Sequence, residues 1–162
     1  FVIFMHEQYN ANIHTMKLTL PKTIATLSAL GIAITGYLIH QHYAPIDSSF
    51  CNFNDFVSCD IVNKSEYSEI FGIPVSILGL LTYVYLFIFS VAWIRNASWA
   101  KKLLIPTLAF SLGGFGFSLY LTYIEFFVLY AVCIFCLSQQ VLILSISILL
   151  TLSVWRSRKT LN

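Results

Sequence analysis

The segment "VLYAVCIFCL", residues 128–137, lies in the most apolar part of the chain and carries two of its four cysteines. It belongs to a longer run, residues 103–155, in which Glu125 is the only charged residue. Because one membrane span needs only about 20 residues, this run is too long for a single span. We therefore expect two spans here, separated by a tight turn that we place around residues 123–127.

The composition of the whole chain also indicates a membrane protein. Of its 162 residues, 58% are hydrophobic and only 10% are charged, whereas a soluble domain has about 25% charged residues. The net charge of +2, without a basic patch, gives no reason to expect nucleic acid as a partner. The chain is therefore predicted to be an integral membrane protein whose surroundings are membrane lipid.

Four stretches are long and apolar enough to cross a bilayer, which predicts an all-α bundle of four transmembrane helices. These spans cover about residues 23–40, 73–94, 103–123 and 128–155. Residues 41–72 are predicted to be an outer loop between the first two spans. Residues 1–22, with Met5 and Met16 as candidate start residues, are expected to be a mobile tail, and residues 156–162 a second tail.

The distribution of charge sets the expected orientation, because Lys and Arg collect in cytoplasmic segments. Eight of the nine basic residues lie in the two tails or between the second and third spans, whereas the outer loop carries one basic and five acidic residues. We therefore expect both termini of this multi-pass protein in the cytoplasm. All four cysteines then face the extracytoplasmic side, where disulfides persist.

Cys133 and Cys136 form a C-x-x-C motif near the expected start of the fourth span. Residues three apart share a helix face, so the two thiols can approach closely enough to form a disulfide. A helix N-terminus favours the thiolate, whereas apolar burial opposes it, and the sequence leaves the balance open. Alone, the motif is compatible with redox chemistry, with zinc binding or with packing of two small apolar side chains.

Cys51 and Cys59 form a second pair, in the outer loop. Alone, this pair is explained equally well by a structural disulfide that stabilises the loop and by redox exchange. A loop pair beside a membrane pair suggests a relay, in which electrons enter at the loop and pass to the C-x-x-C motif by thiol–disulfide exchange. A lipid-soluble quinone, which takes two electrons, would be the final acceptor. This redox interpretation is favoured over zinc, and no metal site is assigned.

The order and spacing of these residues resemble the vitamin K epoxide reductase family, including its bacterial disulfide-forming members. The likeness covers nearly all of the chain from the first span to the end of the fourth. It rests on the four cysteines, on Ser65 six residues beyond Cys59, on "FGIP" at 71–74 and on "SLYLTYIEFFVLYAVCIFC" at 118–136. It implies a four-helix bundle around a quinone pocket, capped by the extracytoplasmic loop, in a bacterial inner or plasma membrane.

The resemblance also implies a role for each residue of these motifs. Cys51 would exchange with the thiols of a partner, and Cys59 would pass electrons to Cys133. Cys136 would be the thiolate that faces a quinone of the ubiquinone, menaquinone or phylloquinone type. Ser65 would form a hydrogen bond near the quinone, although its residue type alone indicates a loop cap.

Two positions depart from the animal enzymes of the family. Those enzymes hold the quinone with an Asn and a Tyr, whose positions correspond here to about Val75 and to Gln140. We therefore expect a thiol oxidase that supports disulfide-bond formation rather than an animal-type vitamin K epoxide or quinone reductase. No thioredoxin-like domain follows the fourth span, so a separate thioredoxin-like thiol protein is the expected partner. Two alternatives remain: a non-enzymatic four-span scaffold with a structural outer-loop disulfide, and a vitamin K epoxide or quinone reductase of animal type.

Overall fold

The computed structural model describes residues 2–45, 51–54 and 56–159, with side chains for 19–45, 51–54, 56–96 and 99–157. Within these residues, the helices are α1 (Val2–Tyr43), α2 (Cys59–Asn63), α3 (Val75–Arg95), α4 (Ala97–Ile124) and α5 (Ile134–Lys159). A 3₁₀ turn at Glu66–Ser68 leads into an antiparallel hairpin of β1 (Glu69–Ile70) and β2 (Ile73–Pro74), and a π-helical turn at Glu125–Leu129 follows α4.

Four helical stretches in the described part of the chain are long and apolar enough to cross a membrane. They are Thr19–Tyr43, Val75–Arg95, Trp99–Leu129 and Ile134–Ser157. This finding confirms the prediction of an all-α bundle of four transmembrane helices. The helix α1 packs most extensively against α3, and α4 packs against α5. Contacts between α1 and α5 and between α3 and α4 close the bundle.

The main core draws buried apolar side chains from all four long helices. Its members are Ile24, Tyr83, Leu86, Phe89, Ala100, Leu104, Ile143, Ile146 and Leu150. Gly31 allows α1 to approach α3 closely, because a Cβ at this position would overlap the Tyr83 ring. The Tyr83 hydroxyl donates to the Gln139 carbonyl (2.9 Å), and Gln139 Nε2 donates to the Gly31 carbonyl (3.2 Å). These contacts tie α1, α3 and α5 to one another.

The connections divide the bundle into two ends. The cysteine end, as we call it, is where α1 ends, α3 begins, the π-helical turn lies and α5 begins, and it carries both cysteine pairs. The opposite, basic end holds the turn from α3 to α4, with Arg95, Lys101 and Lys102 nearby. Only Asn96 separates α3 from α4, and its Oδ1 accepts a hydrogen bond from the N–H of Trp99 (3.3 Å).

The helix α1 extends further towards the N-terminus than the sequence predicts. Residues 1–22 are expected to be a mobile tail, whereas the helix begins at Val2 and continues past Pro21. The chain before Pro21 has neither Gly nor another Pro, so it contains no residue that typically stops a helix. Beside Pro21, the hydroxyl of Thr23 donates to the Thr19 carbonyl (3.0 Å) within the helix.

The turn before α5 lies later than the predicted residues 123–127. The helix α4 continues to Ile124, the π-helical turn follows, and α5 begins at Ile134 rather than at Val128. Tyr130 ends the π-helical turn in the left-handed conformation (φ 50°). Glycine is the usual residue in this conformation at a helix end, so the sequence contains no marker of the turn.

Candidate functional site

The outer loop and the C-x-x-C motif meet at a short parallel backbone bridge between Val57 and Val132. The N–H of Ser58 donates to the Val132 carbonyl (3.2 Å), and the N–H of Val132 donates to a backbone carbonyl of the outer loop (2.7 Å). Cys59 and Cys133 lie just beyond the bridge on its two sides, and they are 1% and 0% exposed. The bridge therefore brings one cysteine of each pair to the same region.

All four cysteines belong to one apolar cluster at the cysteine end. Cys51, Cys59 and Cys133 are buried members of it, and Cys136 packs against them. Cys51 and Cys59 are disulfide-bonded, with their Cα atoms 5.7 Å apart. Cys133 and Cys136 are free thiols. Folding thus joins two pairs that lie far apart in the sequence.

The C-x-x-C motif lies at the N-terminus of α5. Cys133 immediately precedes the first helical residue, and its Sγ accepts a hydrogen bond from the N–H of Cys136 (3.2 Å). The sulfur therefore occupies the place of an N-cap side chain. This hydrogen bond fixes the Cys133 sulfur at the start of α5, next to Cys136.

Glu125 reaches the same helix end from the π-helical turn. Its side chain is 2% exposed, and its Oε2 accepts a hydrogen bond from the N–H of Cys133 (3.0 Å). Its backbone carbonyl accepts the N–H groups of Tyr130 and Ala131, which closes the turn. The place of Glu125 in the sequence is equally compatible with a functional charge and with a charged side chain at a helix end that contacts interfacial water. The burial of Glu125 argues against contact with interfacial water.

Buried polar contacts hold the loop pair in place. Asn52 Nδ2 donates to Asp60 Oδ2 (2.7 Å), while Asn52 Oδ1 accepts from the Ser58 hydroxyl (3.0 Å) and the Asp60 N–H (3.3 Å). Asp60 is only 4% exposed, and Lys64 Nζ lies 3.4 Å from its Oδ1. Buried polar groups are tolerated when they are hydrogen-bonded, so this network stabilises one arrangement of the loop. No motif in the sequence marks Asn52 or Asp60 as members of this network.

A cavity of about 190 Å³ lies between the long helices, beside Cys136. Its wall is mostly apolar, and its uncharged polar side chains include Asn63, Ser65, Ser68, Ser76, Thr82, Ser118, Thr122 and Gln139. Among the described residues, Ser76 Oγ and Gln139 Oε1 are buried oxygens without a hydrogen-bond partner. A flat apolar ring with exocyclic oxygens suits this wall, since a hydroxyl donates to a carbonyl and an amide oxygen accepts from a hydroxyl.

The two residues that the family resemblance assigns to the quinone, Ser65 and Cys136, both line this cavity. The Ser65 hydroxyl donates to the Val62 carbonyl (2.8 Å), so its oxygen retains acceptor capacity for a ligand. Val75 also lines the cavity. Gln140 is not among the residues that line the cavity. Its side-chain oxygen accepts a hydrogen bond from the Thr122 hydroxyl (2.6 Å), and the neighbouring Gln139 lines the cavity.

Residues 22–151 match the model of the vitamin K epoxide reductase family. The chain belongs to the vitamin K epoxide reductase family. The matched region contains all four cysteines, the outer loop and every residue of the cavity wall. As a member of the family, the protein is a multi-pass membrane oxidoreductase that acts on thiols. Family membership therefore favours an enzyme over the non-enzymatic scaffold.

The vitamin K epoxide reductase family uses quinones in general. The cavity beside Cys136 has a mostly apolar wall and two buried oxygen atoms without hydrogen-bond partners, Ser76 Oγ and Gln139 Oε1.

Proposed function

We propose that the protein is a thiol oxidase that passes electrons from a thioredoxin-like protein through its two cysteine pairs to a quinone, and so supports disulfide-bond formation. One observation carries this proposal. The loop pair and the C-x-x-C motif share a buried cluster in which Cys59 and Cys133 lie at the same backbone bridge, while Cys136 lines the adjoining cavity.

Electrons enter at the loop pair. A dithiol partner reduces the Cys51–Cys59 disulfide and becomes a disulfide itself. The Cys59 thiolate then attacks Cys133 of an oxidised Cys133–Cys136 pair, and Cys51 resolves the new bridge by attacking Cys59. The loop pair is again a disulfide, and the membrane pair now holds two thiols. The structure has this distribution of bonds, with Cys51 and Cys59 joined and the other two cysteines free.

Electrons leave from the membrane pair. When Cys133 and Cys136 form a disulfide, they release two electrons and two protons, and a quinone that takes up both becomes a hydroquinone. The apolar wall supports a ring of the ubiquinone, menaquinone or phylloquinone type. The Ser76 hydroxyl can donate to one quinone oxygen. The side-chain oxygens of Gln139 and Ser65 can accept from the hydroxyl groups of the product.

The proposed orientation places the cysteine end on the extracytoplasmic side of a bacterial inner or plasma membrane. Its support is the location of Arg95, Lys101 and Lys102 at the basic end, because Lys and Arg collect on the cytoplasmic side. Both termini would then be cytoplasmic, and a thioredoxin-like partner would meet the loop disulfide in an oxidising compartment.

Quinone reduction by the purified protein tests the proposal. In detergent and supplied with a reduced thioredoxin-like protein, the wild type is expected to reduce a quinone, and Cys136→Ala is expected to lose this activity. Ser138→Ala is the matched control, because its hydroxyl bonds only within α5, to the Ile134 carbonyl, and does not line the cavity. Wild-type turnover by Cys136→Ala would contradict the relay. An inactive wild type would favour a structural role.

A further inference from the structure

We propose that Glu125 is a catalytic residue that carries a proton from the Cys133 thiol to the electron acceptor in the cavity. This inference rests on the proposed function, since it concerns the step in which the membrane pair is oxidised. The geometry points to it because one buried carboxylate both binds the backbone of Cys133 and lines the cavity with Cys136.

The chemistry of the step requires a proton acceptor near Cys133. The thiolate, not the thiol, is the nucleophile in disulfide formation, so the Cys133 proton must leave before its sulfur bonds to Cys136. Oxidation of the pair breaks two S–H bonds, forms one S–S bond and releases two electrons. A quinone acceptor takes up both electrons and needs two protons on its oxygens.

Glu125 completes the proton balance of this step. Its carboxylate takes the proton of Cys133 and becomes a carboxylic acid while the S–S bond forms. The acid then returns this proton to an oxygen of the reduced acceptor and is again a carboxylate. The second proton comes from the Cys136 thiol, which lines the same cavity. Two thiols and one quinone thus give one disulfide and one hydroquinone, with Glu125 unchanged.

Among the described residues of the cavity wall, Glu125 is the group best suited to this role. Among the described residues that line the cavity, Glu125 is the only carboxylate, and the wall includes neither histidine nor lysine. The remaining ionisable groups on the wall are Cys136 itself and the hydroxyls of Tyr67 and Tyr83, of which the second donates to the Gln139 carbonyl. A proton that leaves Cys133 towards the cavity therefore meets Glu125.

The position of Glu125 is costly for a side chain that serves only as a cap. The ion pairs between described residues involve Glu69 and Asp60, so the buried Glu125 carboxylate has no cationic partner among them. Burying an unpaired ionisable group is unfavourable, and inside a membrane such a group is a functional candidate by default. An uncharged Gln would accept the same N–H bond from Cys133 at lower cost.

Glu125→Gln separates the proton role from the capping role. Glutamine keeps an oxygen that can accept the Cys133 N–H, but it cannot carry a proton. We expect kcat for quinone reduction to fall about a hundredfold or more, the size typical of a lost general acid or base, with KM for the quinone nearly unchanged. The matched control is Glu66→Gln, which removes an exposed loop carboxylate and should leave turnover unchanged.

Chemical rescue provides a second readout that a structural role does not move. Glu125→Ala opens space at the same position, and added formate is expected to raise its kcat at least about tenfold. Formamide accepts hydrogen bonds but neither takes up nor releases a proton at neutral pH, so it should not raise kcat. This comparison also applies if Glu125→Gln folds poorly.

Two results would overturn the proton role. Turnover of Glu125→Gln within about threefold of the wild type would identify Glu125 as a cap alone, and equal rescue by formate and formamide would do the same. Either result leaves the proposed function intact, because the wild type still reduces the quinone. A wild type that fails to reduce any quinone would instead overturn the proposed function and, with it, the role of Glu125.

Discussion

Replacing Asn52 by alanine tests whether the buried polar network holds the loop pair beside the C-x-x-C motif. Asn52 donates one hydrogen bond to the Asp60 carboxylate (2.7 Å). It accepts two more, from the Ser58 hydroxyl (3.0 Å) and the Asp60 N–H (3.3 Å). Alanine removes all three bonds, and the buried Asp60 carboxylate then depends more heavily on Lys64, which lies 3.4 Å away.

The expected size of the effect follows from these bonds. A hydrogen bond to a charged group contributes about 1.5–3 kcal/mol, and each neutral one about 0.5–1.5 kcal/mol. Because Asn52 is half-buried, water replaces part of this loss, and we expect about 3 kcal/mol. At about 1.4 kcal/mol for each factor of ten, the loop should open about a hundredfold more often in the variant.

Hydrogen exchange at the Val132 amide measures this opening directly, because that N–H is bonded across the bridge (2.7 Å). Its protection should fall about a hundredfold in Asn52→Ala, since exchange reports the population of the open form. Asn96→Ala, the same substitution at the basic end, removes the N-cap of α4 and should leave the protection of the Val132 amide unchanged. Unchanged protection of Val132 in Asn52→Ala would refute the reasoning.

Two further substitutions test the packing of the bundle and the cavity wall. Gly31→Ala should destabilise the protein by about 1–3 kcal/mol in thermal unfolding, because the new Cβ overlaps the Tyr83 ring. Gly36→Ala, where nothing lies within 4 Å, is the control, and equal melting temperatures for the two variants would contradict the packing. Ser76→Ala should raise KM for the quinone about three- to tenfold with kcat little changed, because one hydrogen bond to the quinone is lost. Its control is Ser145→Ala, whose hydroxyl bonds only within α5, and an unchanged KM in Ser76→Ala would remove Ser76 from the quinone site.

The number and order of the membrane helices could be predicted from the sequence, because a chain in lipid must satisfy its backbone hydrogen bonds within each apolar segment. The end of α4 could not. Tyr130 adopts a left-handed conformation that usually marks glycine, and the turn depends on the carbonyl and the carboxylate of Glu125. These contacts join residues five to eight positions apart and follow no helical period.

The cysteines of the candidate site could be predicted because their residue type and spacing imply redox chemistry. Their supporting residues could not be. Asn52 and Asp60 are ordinary polar loop residues until folding buries them against each other. Ser76 and Gln139 become candidate ligand contacts only because packing leaves their oxygens without partners beside the cavity.

The most direct test of the relay is to map the disulfides of Cys51→Ala. Without Cys51, the bridge between Cys59 and Cys133 has no resolving thiol in the loop, so it should accumulate when the membrane pair is oxidised by added quinone. Mass spectrometry of the digested protein, with free thiols blocked, is expected to find the Cys59–Cys133 peptide. If Cys59 stays a free thiol while Cys133 and Cys136 are joined, electrons do not pass between the two pairs, and the account is wrong.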